Sequence, residues 1–191
     1  MNELIINKEK TAIVVIDLQK GIVGMPVEPH AAADVVANAA KLAQAFRKNG
    51  MPVFLVHVTP SADGKDALHP VSDAATMSAP RAADWAEFVP EMGPEPGDFI
   101  VTKRQWGAFY GTELDLQLRR RGINTIVLCG ISTNIGVEST ARFAFEYGYE
   151  QIFAEDATAA RSADEHEHAM KGTFMRIGRV RTTEDILSAL V

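Results

Sequence analysis

The sequence predicts an α/β protein, a three-layer sandwich in which helices flank a six-stranded, mostly parallel sheet. Short apolar runs, typical of strands buried on both faces, alternate along the chain with segments whose apolar residues recur at helical spacing. This alternation is typical of right-handed β–α–β units, which make neighbouring strands parallel and place helices on both faces of the sheet. The 191 residues, 47% of them hydrophobic, suffice for one core. We therefore expect a single domain over residues 1–191.

Six segments are predicted as strands because each is short and mostly apolar. They cover residues 11–17, 51–58, 99–102, 124–129, 151–154 and 177–180. The first is a continuous apolar run that ends in Asp17, and the third leads directly into Lys103. Charged residues at these two positions interrupt otherwise buried patterns, so they are candidates for a functional role.

The segments between the strands carry the start and stop signals of helices. Helices are predicted over residues 31–49, 113–121 and 135–147, and after Ser162 and Thr182. Thr112 is the expected N-cap of the second helix, Ser162 opens a capping box with Glu165, and Thr182 caps the last helix. The stretch from 60 to 96 fits neither pattern, and its length indicates a functional loop or a partner contact.

Charge and composition exclude several classes of function. The net charge is −6. The one basic run, 119–121, lies at the end of a predicted helix, where its positive charges interact favourably with the helix dipole. We therefore expect no binding to nucleic acid or to a membrane. No apolar stretch approaches the ~20 residues that span a bilayer. With Cys129 as the one cysteine, no intrachain disulfide can form. We expect a cytoplasmic protein with a small-molecule substrate.

Polar residues at three predicted strand ends mark the candidate site. In open parallel sheets, ligands bind beyond the carboxyl ends of the strands, where Asp17, Lys103 and the turn 132–136 fall. Asp17 and Lys103 can form a carboxylate–ammonium pair that tunes an acid or a base. The backbone of the turn can contact an anion or an oxyanion, although an ordinary strand-to-helix turn explains the same pattern equally well. The residues of that turn are Ser132, Thr133, Asn134, Ile135 and Gly136.

Three motifs, in this order along the chain, resemble the isochorismatase-like hydrolases. They are VIDLQ at 15–19, Lys103 with WGAFYGTEL at 106–114, and LCGISTNIGVESTA at 128–141. The resemblance implies a six-stranded parallel sheet of Rossmann-like topology and a site built from an aspartate, a lysine and the start of the helix after strand four. It also implies hydrolysis of small amides or of the vinyl ether of isochorismate, and a homo-oligomer, dimer or tetramer. For this chain we expect no cofactor.

The resemblance places Gly136 where the amide-cleaving members carry a nucleophilic cysteine. Glycine has no side chain to attack a carbonyl, and Cys129 lies inside an apolar strand, where it is expected to be a buried, inert thiol. Isochorismate-cleaving members resemble this chain in having glycine here, and their aspartate protonates the substrate. The residues therefore favour non-covalent acid–base chemistry at Asp17 with Lys103. The alternative is a small-molecule binding or scaffold protein that lost the nucleophile.

Four further residues are expected to form a pocket wall, and no metal site is expected. The wall candidates are His57, Trp106, Phe109 and Tyr110. His166 and His168 lie two apart, so on a helix they face different ways. His69 does not match the Asp-x-His zinc set that the resemblance associates with nicotinamide-cleaving members.

Overall fold

The computed structural model describes residues 4–73 and 81–190, and six parallel strands form its central sheet. The strands are β1 Thr11–Ile16, β2 Val53–Val58, β3 Phe99–Lys103, β4 Thr125–Ile131, β5 Glu150–Ala159 and β6 Arg179–Arg181. Their order across the sheet is β3-β2-β1-β4-β5-β6, and every pairing is parallel. The predicted α/β architecture is confirmed.

The described residues form seven α-helices, six of them between strands and the last after β6. They are α1 Lys20–Val23, α2 Ala32–Lys48, α3 Leu114–Arg120, α4 Glu138–Glu146, α5 Ala163–His168, α6 Met175–Ile177 and α7 Thr183–Ser188. Two π-helical turns, Thr133–Val137 and Ala169–Phe174, precede α4 and α6. None of the helices in the described ranges has the length and apolarity needed to cross a membrane.

Two apolar clusters bury the two faces of the sheet. Alternate residues of β1 point to opposite faces, so Ile13 and Val15 join one cluster and Val14 and Ile16 join the other. Helices α2 and α7 cover the first face, while α3, α4 and the π-helical turn Ala169–Phe174 cover the second. Both faces of the central strands are thereby removed from water, which explains their continuous apolar sequences.

The strand order reverses between β1 and β4, and this switch point positions the site. Strands β2 and β3, which follow β1 in sequence, lie on one side of it, and β4 lies on the other side. The loops after these strands diverge here and leave a crevice at their carboxyl ends. Gly130 permits the close pairing of β4 with β1, because a Cβ there would lie 2.0 Å from the Ile16 carbonyl oxygen.

Several local expectations are confirmed and others are corrected. Ser162 and Thr182 cap their helices through side-chain oxygens, as expected. Thr112 is not the N-cap of α3. Glu113 takes that position, and the Thr112 hydroxyl instead donates to the Ala108 carbonyl oxygen and accepts from Leu114 N–H. The hydroxyl closes the preceding turn, which shifts the helix start by one residue.

Several elements differ from the sequence prediction, and the sixth strand is one of them: residue 177, predicted as strand, ends α6, and β6 covers Arg179–Arg181. Helix α1 was not expected, and β5 continues five residues past the predicted end, to Ala159. The predicted helix 135–147 begins instead as the π-helical turn Thr133–Val137. Of the long segment 60–96, residues 74–80 lie outside the described residues. The remainder contains turns and a short 3₁₀ helix, Pro90–Met92.

Candidate active site

Asp17 follows β1 directly and has a buried carboxyl group. Its backbone is in the left-handed region with φ 54°, and its N–H donates to the Val56 carbonyl oxygen at 2.9 Å. Oδ2 lies 2.8 Å from Lys103 Nζ, whereas Oδ1 is buried without a hydrogen-bond partner among the described residues. Burial raises the pKa of Asp17 from 3.8 to about 6, against the opposing effect of the Lys103 charge. The carboxyl group can therefore hold or release a proton near neutral pH.

Lys103 ends β3 and reaches the site with a fully buried side chain. Its ammonium group contacts Asp17 Oδ2 and the carbonyl oxygen of Trp106. Only 1% of the residue is exposed, so its charge is compensated within the protein rather than by solvent. The ammonium group holds one carboxylate oxygen in place and does not hydrogen-bond to the other.

Gly136 faces this pair from the turn after β4. A Cβ at this position would lie 3.0 Å from Ile16 Cγ2, 3.1 Å from Asp17 Oδ2 and 3.2 Å from Lys103 Nζ. These separations are tighter than ordinary carbon contacts, so even a methyl group would press on the ion pair. Glycine is thus the residue that lets the pair and the turn approach each other.

The five residues of the predicted anion-binding turn divide into two groups. Ser132, Ile135 and Gly136 line the cavity beside Asp17. Thr133 and Asn134 are not among its lining residues. The peptide between residues 131 and 132 is cis.

Part of the turn's backbone is already used for internal hydrogen bonds. The N–H groups of Ile135 and Val137 donate to the Ser132 carbonyl oxygen at 3.2 and 3.1 Å. The Gly136 carbonyl oxygen accepts from Thr140 Oγ1 at 2.7 Å. These bonds hold the turn in shape, and they withdraw the Ile135 N–H from the predicted contact with a ligand.

Thr133 points away from the cavity toward a histidine that the sequence places 33 residues later. Its Oγ1 lies 2.9 Å from His166 Nδ1, and His166 Nε2 lies 3.2 Å from Glu155 Oε1. Hydrogen bonds from His166 and His30 lower the pKa of Glu155 to about 2. Thr133 is fully buried, so this arrangement supports the turn and does not present the hydroxyl to a ligand.

The cavity beside Asp17 has a volume of about 350 Å³ and a cationic wall. Loops after β2, β3 and β5 contribute Arg81, Arg104 and Arg161, whereas the charge of Lys103 is paired with Asp17. Among the described lining residues, Asp17 is the one acid. A cavity with this charge distribution favours an anionic ligand.

One of the four predicted wall residues, Trp106, lines the cavity, and three do not. His57 was expected in the wall, but it stacks on Phe88 and hydrogen-bonds to the Ala86 carbonyl oxygen and to Thr102 Oγ1. The reason is strand alternation: the next residue, Val58, faces the cavity, so His57 faces the other side of the sheet.

Phe109 and Tyr110 are also corrections to the predicted wall. Phe109 is buried against Tyr147 and Tyr149, and Tyr110 is 70% exposed. The chain after Trp106 turns back onto α4, where Ala108 N–H donates to Thr140 Oγ1. Both rings are therefore carried away from Lys103.

The residue-by-residue interpretation missed several groups that the structure brings to the site. Gln19 is fully buried; its amide donates to the carbonyl oxygens of Val58 and Trp85 and accepts from Val58 N–H. The position of Gln19, a polar residue two positions after Asp17 in a mostly apolar run, could have indicated a buried side chain with hydrogen-bond partners. Arg81, Trp85 and Arg161 lie in loops, where no periodic pattern indicates which way a side chain points.

Comparison with known proteins supports the fold and identifies the family. The isochorismatase domain model matches residues 11–185. The isochorismatase family protein YwoC of Bacillus subtilis is 57% identical over 189 residues, 98% of this chain and 97% of that protein. An isochorismatase family protein from Burkholderia thailandensis has a solved structure with TM-score 0.94, 46% identity and 99% of each chain covered.

A more distant relative has a named activity. The ureidoacrylate amidohydrolase RutB of Variovorax paradoxus is 33% identical over 178 residues, which cover 81% of this chain and 71% of that protein. The family match spans nearly all of the sheet and includes Asp17, Lys103 and the turn around Gly136. Because the family model covers most of the chain and these relatives match it in sequence and fold, the chain belongs to the isochorismatase domain family.

Proposed function

We propose that this protein is a hydrolase of a small anionic molecule, and that it acts by acid–base chemistry at Asp17 with Lys103, without a covalent intermediate. One observation carries the proposal. Lys103 anchors one oxygen of the buried Asp17 carboxyl, while the other oxygen is buried with no partner among the described residues. A buried polar atom without a hydrogen-bond partner lowers the stability of the fold, and functional sites are among the few places where proteins retain such atoms.

The proposed step is a proton transfer followed by attack of water. With a pKa of about 6, Asp17 carries a proton in part of the population near neutral pH, and Oδ1 can donate it to the substrate atom whose bond breaks. A water molecule then adds to the resulting electrophilic carbon and loses its own proton to the Asp17 carboxylate. The sum is hydrolysis, and Asp17 is regenerated.

Three positions that could be considered for a nucleophile, Gly136, Cys129 and Thr133, do not supply one, which supports the non-covalent route. Gly136 has no side chain. Cys129 is fully buried in the cluster beneath α2, and burial raises the pKa of its thiol to about 12. Thr133 has a histidine partner but lies outside the cavity wall. None of these three positions therefore offers an accessible activated nucleophile.

The charge of the cavity supports an anionic substrate. The arginine side chains 81, 104 and 161 line the cavity, and guanidinium groups bind carboxylates in a bidentate manner. Arg104 also forms an ion pair with Asp66, with Nε 2.6 Å from Oδ2. A substrate carboxylate at the cavity mouth would leave the scissile bond deeper, beside Asp17.

A substrate screen of wild type, Asp17→Asn and Asp34→Asn tests the proposal. Asp34 is an exposed residue on α2 and serves as the matched control. The panel contains isochorismate, ureidoacrylate and N-carbamoyl amino acids as anions, with nicotinamide and simple esters as uncharged comparators. We expect turnover of at least one anion that falls at least ~100-fold in Asp17→Asn and is unchanged in Asp34→Asn.

Two results would contradict the proposal. Equal turnover by Asp17→Asn would remove the acid–base role. No turnover of any compound, while the anions still raise the melting temperature of both proteins, would support the alternative of a small-molecule binding protein, which the glycine at position 136 favours.

We further propose that the protein forms a homo-oligomer, a dimer or a tetramer. Light scattering after gel filtration would measure its mass.

A further inference from the structure

Three side chains that commonly bind metals converge beneath the turn that carries Gly136. They are His30, which follows the cis-proline Pro29, Glu155 in β5 and His166 in α5. His30 Nε2 lies 2.8 Å from Glu155 Oε1, and His166 Nε2 lies 3.2 Å from the same oxygen. The three donor atoms all lie within 4.8 Å of one another. The grouping comes from tertiary structure, because its members are 125 and 11 residues apart in sequence.

We propose that His30, Glu155 and His166 form a binding site for a divalent cation of the zinc type. Two imidazole nitrogens and one carboxylate oxygen are a ligand set that Zn²⁺ uses with an additional open position. Hard cations such as Mg²⁺ and Ca²⁺ prefer oxygen ligands, so two histidines disfavour them. This inference is independent of the hydrolase proposed above.

The geometry requires only a small rearrangement to accept the ion. Tetrahedral Zn²⁺ with bonds of about 2.0–2.1 Å holds its ligand atoms roughly 3.3 Å apart, close to the two His–Glu separations. The two histidine nitrogens, which lie within 4.8 Å of each other, must approach by at most roughly 1.5 Å. His30 can supply this movement, since it lies in a loop and its side chain is 29% exposed, whereas that of His166 is 4% exposed.

His166 also has the outer partner that metal-bound histidines typically have. A ligating histidine usually donates its second ring N–H to a neighbouring oxygen, which fixes the ring orientation. Here Nδ1 lies 2.9 Å from Thr133 Oγ1, while Nε2 points to Glu155. With a cation on Nε2, the proton must lie on Nδ1, so His166 donates and Thr133 accepts.

A cavity of about 370 Å³ gives access to the open coordination position. Glu155 and His166 form part of its wall, together with apolar residues that include Met170, Met175 and Val180. Water or a small ligand can therefore reach the cation from this cavity. This cavity is distinct from the one beside Asp17, since the two have no lining residue in common.

The sequence did not indicate this site. His166 and His168 face different ways on α5, as expected, with His166 buried and His168 exposed. The partners of His166 come instead from a loop before α2 and from β5. Pairing of histidines by sequence spacing detects metal sites within one helix or loop, and it cannot detect a site assembled from three elements.

Zinc titration of the untagged full-length protein tests the inference. After removal of bound metals with a chelator, isothermal titration with ZnCl₂ should saturate at one Zn²⁺ per chain and raise the melting temperature, and excess Mg²⁺ should not compete. We expect His30→Gln and Glu155→Gln to weaken binding at least ~100-fold, since even loss of an outer partner weakens metal binding by 10–100-fold. His168→Gln and Glu167→Gln, exposed on the same helix, are the matched controls and should bind Zn²⁺ as wild type does.

Circular dichroism of each variant separates loss of binding from loss of fold. If Glu155→Gln does not fold, His30→Gln decides the outcome, because its half-buried side chain lies in a loop. Wild type that fails to saturate with Zn²⁺ would overturn the proposal, as would saturation that His30→Gln leaves unchanged. Zn²⁺ binding lost equally in His168→Gln would place the ion elsewhere and would also overturn it.

Discussion

Lys103 Nζ lies 2.8 Å from Asp17 Oδ2 although a whole strand, β2, separates their main chains. Adjacent strands are about 4.8 Å apart, so the two backbones are roughly 10 Å apart, a gap that the lysine side chain bridges across the end of β2. Its charge holds one carboxylate oxygen, and burial keeps the pKa of the carboxyl group high. The pair is therefore the element of the site whose perturbation should be most informative.

The first prediction concerns the pH dependence of catalysis. If Asp17 donates a proton, the active form is the neutral carboxyl, so kcat/KM should fall about tenfold per pH unit above a midpoint near 6. Replacement Lys103→Met removes the charge that lowers this pKa, so the midpoint should move to higher pH. A pH–rate profile of both proteins on the substrate found in the screen checks this, with exposed Lys171→Met as the control. A rate that instead rises through pH 6 would identify Asp17 as a base.

The second prediction concerns the space at Gly136. In Gly136→Ala the new methyl group would press against Ile16, Asp17 and Lys103, so we expect the free energy of unfolding to fall by about 1–3 kcal/mol. Gly172→Ala is the matched control, because its Cβ would meet His168 Nε2 at 3.9 Å, an ordinary contact. Urea denaturation of both variants measures the difference. Equal stabilities would show that Asp17 and Lys103 can shift to accommodate the methyl group without loss of stability, and that the close approach does not require glycine.

The third prediction concerns Gln19, which we interpret as a positioning residue. Gln19→Met keeps the approximate size but leaves the backbone groups of Val58 and the Trp85 carbonyl oxygen without their partner, so the free energy of unfolding should fall by about 2–3 kcal/mol. Gln44→Met, at an exposed position on α2, should be neutral. Because Trp85 lines the cavity, KM should rise more than kcat falls. A variant with wild-type stability and KM would contradict this role.

The fourth prediction concerns the thiol. Cys129 is fully buried and its pKa is raised to about 12, so iodoacetamide should neither label the folded protein at pH 8 nor reduce any measured activity. Intact-mass spectrometry should show one adduct after unfolding in urea and none before. Labelling of the folded protein with loss of activity would mean that the chemistry involves this cysteine and that our mechanism is wrong.

Residues at strand ends were predictable because strand direction alone places them at one edge of the sheet. Asp17 and Lys103 were identified in this way, whereas Gly136 was identified through the family resemblance, and the structure places all three close together. The assignment of His57 to the pocket wall failed for a related reason. A strand's alternation shows that His57 and Val58 point to opposite faces, but it does not show which face carries the cavity.

Residues contributed by loops could not be predicted. Trp85 and Arg161 reach the cavity from segments without periodicity, and their directions depend on the turns that precede them. Phe109 and Tyr110 follow Lys103 in sequence, yet the chain folds back onto α4 before it reaches them. Proximity in sequence to a site residue was therefore a poor guide once the chain left regular structure.

The sequence by itself determined the α/β class, the parallel sheet and the two charged strand ends, because apolar periodicity and strand direction are local properties of the chain. Only the tertiary structure decided that Lys103 reaches across β2 to Asp17, that His30 and Glu155 join His166, and that arginines line the cavity. These relationships join residues tens of positions apart. They depend on strand order, loop paths and burial, which arise when the whole chain packs and which no local pattern encodes.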